Sequence, residues 1–102
     1  MIDIHVHYFP PAVFKAIWRY FETNTNGLWH INYRLSGEKH RSFLKERGIE
    51  RFTTLVYAHK KDMAMSLNDF IAAESARYAE IIPFGTIYAG DGALKQARII
   101  FE

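Results

Sequence analysis

Three times along the chain, a short run rich in β-branched and aromatic residues gives way to a segment of helical periodicity. The runs are "IDIHVHY" from Ile2, "RFTTLVYAH" from Arg51 and "IIPFGTIY" from Ile81. Strands that alternate with helices are joined by right-handed crossovers, which build a parallel sheet with helices packed against it. The expected fold class is therefore α/β. Within the first run Ile2, Ile4 and Val6 fall on one face and Asp3, His5 and His7 on the other, the two-residue period of a strand.

The connecting segments read as helices for separate reasons. Pro10 and Pro11 end the first strand, and proline suits a first helical turn because its missing N–H would be unpaired there anyway. Val13, Phe14, Ile17, Trp18 and Phe21 then recur at helical spacing with Lys15, Arg19 and Glu22 opposite, a stripe for core packing. "TNTNGLWHINYR" mixes turn formers with aromatics and predicts an irregular excursion. Ser36 stands where it can cap a second helix running to about Arg47, with Gly48 in the C′ position. Asp62 is expected to cap a third helix, in which Met63, Leu67, Phe70, Ile71 and Tyr78 align. Pro83 and Gly85 suit the early part or a bulge of the third strand. Asp91 is expected to cap a fourth helix that includes Leu94 and Ala97. The chain ends at Ile99, Ile100, Phe101 and Glu102 with fresh apolar residues and no recognisable helix stop, so it is expected to be one incomplete domain over residues 1–102.

Composition narrows the function classes. The 13 Lys and Arg against 11 Asp and Glu leave a net charge of +2. Lys60-Lys61 is the sole adjacent basic pair, which argues against nucleic acid as a partner. With no cysteine, a bound metal would have to be held by imidazole and carboxylate groups. No basic leader precedes a long apolar core, and no apolar run approaches the ~18 residues of a membrane span. A soluble, cytoplasmic protein is expected.

The chemistry is expected at His5 and His7. Residues two apart on a strand have their bases about 6.6 Å apart on one face, so two imidazoles leaning together can reach one cation. Sites in parallel sheets lie beyond the carboxyl ends of the strands, where this pair falls. Asp3 is placed to orient a ring or plug the strand mouth. His59, at the carboxyl end of the second strand, is the candidate for an auxiliary contact at the mouth. His30 and His40 lie at no strand end and are expected to be structural or surface residues.

"IDIHVHYFPP" resembles the first-strand motif of the amidohydrolase superfamily, in particular the amidohydrolase-related metal-dependent hydrolases. "GIERFTTLVYAHK" and "IIPFGTIYAGD" are similar to the second and third strands of that branch. The resemblance implies a TIM (β/α)8 barrel of which this chain holds about three βα units. It also implies a divalent metal, usually zinc, on His5 and His7, with further ligands on later strands. Where that branch commonly has a His-Pro pair before Gly-Asp, this chain has Tyr88-Ala89-Gly90-Asp91. The implied function is a metal-dependent hydrolase, or decarboxylase, attacking a small carbonyl-containing substrate with metal-activated water. Two alternatives stand beside it. One is a catalytically inactive remnant that forms a homo-oligomer through its exposed sheet face and edges. The other is a phosphoesterase of the polymerase-and-histidinol-phosphatase type, which also opens with Asp-x-His-x-His.

Overall fold

The structure, a computed structural model, describes residues 1–28 and 30–102. Its elements in chain order are β1 (Ile2–His7), α1 (Pro11–Asn24), α2 (Gly37–Glu46), β2 (Arg51–Leu55), α3 (Met63–Arg77), β3 (Ile81–Ile82) and α4 (Ala93–Phe101). The strands form one parallel sheet in the order β1-β2-β3. This is the α/β arrangement that the alternating segments predict. No helix among the described residues is long and apolar enough to cross a membrane.

One face of the sheet carries the core. Val6, Phe52 and Ile81 from the strands, with Tyr8 and Phe9 beyond β1, form a cluster with Phe14, Leu44, Leu67 and Ile71 from the helices. Ile17, Trp18 and Phe70 pack partly buried against it, as the helical stripes predict. The molecule measures 37 × 35 × 19 Å. A thickness of 19 Å accommodates one sheet layer and one helix layer, and at the centre of the sheet Phe52, Thr53 and Thr54 are all buried.

The first strand departs from simple alternation. Asp3 pairs with Phe52 and Val6 with Thr54, so three steps along β1 match two along β2. This β-bulge reverses the alternation partway along the strand. Ile2 and Val6 therefore lie on opposite faces, and the predicted apolar face Ile2-Ile4-Val6 does not form. Ile2 and Ile4 are 54% and 75% exposed while Val6 is buried.

Helix ends follow the sequence only in part. α2 closes as predicted at Gly48, whose φ is 78°. The Gly48 N–H donates to the Lys45 carbonyl and the Ile49 N–H to the Leu44 carbonyl, a Schellman closure. Ser36 and Asp62 occupy the predicted N-cap positions of α2 and α3, yet neither side chain makes a capping hydrogen bond. The N-cap of α4 is Gly92, with φ 93°, and not Asp91. A left-handed residue sits there because the turn from Gly90 closes one position later than the acidic side chain.

β3 is two residues long where the sequence predicts a longer strand. Pro83 has no N–H to continue the ladder. Beyond it side chains replace strand pairing. The Phe84 N–H donates to Thr54 Oγ1 at 3.0 Å, and the Asn68 amide bonds both the Thr86 N–H (2.8 Å) and the Thr86 carbonyl (2.9 Å). The excursion after α1 is irregular as expected; Trp29, within it, lies outside the described residues.

The carboxyl end of β1 is clamped from behind. The Tyr8 hydroxyl donates to Glu74 Oε2 at 2.7 Å and accepts from the Arg41 guanidinium at 2.8 Å, and the Arg41 guanidinium stacks 3.5 Å from the Tyr78 ring centroid. Burial, helped by the Glu74 carboxylate, pushes the Tyr8 hydroxyl well above the ordinary phenol range. This network ties β1 to α2 and α3 one residue after His7.

Candidate functional site

His5 and His7 come together. Their ring centroids are 5.1 Å apart with planes at 88°, and both residues are exposed. The bulge, which displaces Ile2 from the core face, leaves this pair on one side of the strand. The Asp3 carboxylate accepts the His5 backbone N–H at 2.9 Å, so its partner is the bulged backbone and not an imidazole. A side-chain bond of this kind holds an irregular strand turn in place.

His7 Nδ1 lies 3.2 Å from the Leu55 carbonyl oxygen. A carbonyl only accepts, so Nδ1 carries the proton, and in the neutral ring Nε2 is left with a free lone pair. That is the arrangement in which a backbone carbonyl orients an imidazole for a metal. The ring is further held by a stacked contact with Phe9 at 6.3 Å and an edge contact with Tyr57 at 5.9 Å.

A recess of about 300 Å³ beside β1 gathers Asp3, His5 and His7 together with His40, Trp18 and Tyr33. His40, expected to be a structural or surface residue, shares this recess. Its Nδ1 is buried without a hydrogen-bond partner among the described residues, and its ring packs against Tyr8 and Phe14. Burial lowers its pKa below the ordinary value. The available signal was the four-residue step to Leu44, which puts His40 on the core-facing side of α2.

Tyr57 was likewise missed. It continues the row of rings, 5.9 Å from His7, 5.0 Å from Phe9 and 6.1 Å from His59, and burial raises its pKa. Its position two residues beyond β2 was the signal available. His59 is exposed just past β2, at the end of this row. His30 is exposed in the excursion, and Asp91 is exposed before α4.

The donor set fits a divalent ion in part. Two imidazoles stand in edge-to-face contact and one is oriented through its Nδ1. No group of three or more His, Asp or Glu side chains among the described residues is arranged to hold an ion. The pair thus offers two of the three protein ligands that a catalytic zinc takes. No family model, curated protein or solved structure matches this chain.

Proposed function

We propose that the chain is the opening part of a metal-dependent hydrolase barrel of the amidohydrolase type, with His5 and His7 holding a divalent cation. The observation that carries this reading is the exposed imidazole pair, 5.1 Å between centroids, with His7 Nε2 left free by the Leu55 carbonyl. Zinc is the preferred ion, because imidazole donors suit it and the chain offers no thiolate. Three sequential parallel strands with helices on one face support the barrel part of the proposal.

When bound, the metal would supply water of lowered pKa and polarise a substrate carbonyl for hydrolysis or decarboxylation. The chain's own residues do the positioning. Leu55 holds the His7 tautomer, Asp3 fixes the bulge that turns His5 toward His7, and the Tyr8–Arg41–Glu74 network anchors the strand end behind them. The substrate class is a small molecule bearing a carboxylate, amide or ester.

The test is zinc titration by calorimetry on the full chain, beside assays on carboxylic ester, amide and phosphate ester substrates. Binding that His5→Ala or His7→Ala weakens by at least about tenfold is expected, since each removes one of two ligands. Zinc affinity unchanged in the double variant would refute the metal site. Turnover of the phosphate ester alone would favour the phosphoesterase.

A second reading, a non-catalytic chain whose role is self-association, is favoured by a separate observation. Ile2, Ile4, Tyr57 and Phe84 are exposed large apolar residues on or beside the sheet. A metal-free oligomer indifferent to His5→Ala would favour it.

A further inference from the structure

A cleft of about 610 Å³ lies beside the imidazole pair without including it. It is lined by Ile17, Tyr20 and Phe21 of α1 and by Tyr57, His59 and Lys60 from the segment after β2. Its volume falls in the range of about 300–1,000 Å³ in which small molecules are bound. Ala16 and Tyr20 also line an adjoining recess, to which Lys15 and Arg19 contribute.

The charge around this apolar lining has one sign. Among the described residues no carboxylate lines either hollow. Glu22, the lone acid on α1, is engaged by Arg34. Among the described residues Lys15, Arg19 and Lys60 form no ion pair. Lys60 on the cleft itself, with Lys15 and Arg19 on the adjoining recess, complements a ligand with an apolar body and a negative end.

We propose that this cleft binds a small amphipathic anion, an apolar body bearing one carboxylate or phosphate, with Lys60 as its charge partner. The apolar body would lie on Ile17, Phe21 and the Tyr20 and Tyr57 rings. Tyr57 connects the cleft to the imidazole pair through its edge contact with His7. Occupancy of the cleft requires no metal, so the proposal goes beyond the hydrolase reading and does not depend on it.

The experiment is an NMR titration of the full chain with 1-naphthoate, 1-naphthyl phosphate and the neutral 1-naphthalenemethanol. At least one anion is expected to bind about tenfold or more tighter than the alcohol, the factor that a charge-assisted contact supplies. The Tyr20, Tyr57 and Lys60 resonances should shift. Lys60→Gln, an exposed turn position, should bring the anion down to the affinity of the alcohol. Ala16→Phe, on the exposed flank of α1, should weaken all three ligands by filling the cleft. Comparison of the two anions tells carboxylate from phosphate. Equal affinity for the alcohol, no binding at all, or anion affinity unchanged by Lys60→Gln would overturn the proposal. So would loss of binding with chelator or in His5→Ala, which would move the ligand to the metal site. Zinc affinity, measured separately in Lys60→Gln and expected to be unaltered, keeps failure of this proposal distinct from failure of the metal reading.

Discussion

Two buried polar groups near His7 behave oppositely because one is paired and the other is not. Arg41 and Glu74 are 11% and 14% exposed and share the Tyr8 hydroxyl. Glu74→Ala takes one of two carboxylates from the mostly buried Arg41 guanidinium, Glu80 staying at 3.6 Å, and removes the acceptor of the Tyr8 hydroxyl, and is expected to cost about 2 kcal/mol. Tyr8→Phe keeps the Arg41–Glu74 pair and should cost only about 1 kcal/mol. Chemical denaturation of the two variants checks the order; equal losses would mean that the hydroxyl, not the ion pair, carries the network. His40 has no partner for its buried Nδ1, and burial disfavours its charged form. Its folded pKa lies below the unfolded one, so the unfolded chain binds more protons in the window beneath about pH 6.5. The stability it contributes is complete above that value and is lost as pH falls through the folded pKa. The denaturation midpoint should therefore drop on acidification, and His40→Phe should flatten the dependence. An identical pH profile in the variant would remove His40 as its source.

At the scale of elements, glycines at two junctions do different work. Gly48 has φ 78° with nothing within 4 Å of an added Cβ, so Gly48→Ala tests backbone conformation alone. It should destabilise by about 1 kcal/mol, the cost of an L-residue held in the left-handed region at the end of α2. At Gly85 a Cβ would come within 2.9 Å of the Ile100 side chain. Gly85→Ala therefore pushes on α4, which buries no residue of its own. Amide hydrogen exchange should quicken in Ala93–Phe101 and stay unchanged in α3; equal acceleration across both helices would show that α4 is not a separate unit. The short β3 follows the same logic of local chemistry. Once Pro83 ends the ladder, Thr54 and Asn68 hold the chain by side-chain bonds that no strand propensity predicts.

For the whole molecule, the radius of gyration of 14.5 Å exceeds the roughly 13 Å expected for a compact chain of this length. β1 is an edge strand, and its outer side presents Ile2 and Ile4 to solvent. Such surfaces pair or are covered. Sedimentation velocity is expected to show concentration-dependent self-association that Ile4→Lys reduces. A monomer across the accessible concentration range would count against that surface as an interface.

The order of strands and helices, the parallel sheet, the aromatic stripe of α1 and the glycine closure of α2 were all legible from residues, because each rests on local periodicity or backbone freedom. The pairing of His5 with His7 was legible too, since it needs only a two-residue step. Three features were not. The bulge that turns Ile2 and Ile4 away from the core depends on register with β2, and register is a relation between distant segments. The recess that gathers His40 with the imidazole pair, and the ring row through Tyr57, depend on which helix face meets which strand end. Sequence alone determined which groups could bind and on what kind of element. The tertiary structure decided which of them meet, because side chains far apart in sequence become neighbours only when the core fixes the separation and rotation of the elements that carry them.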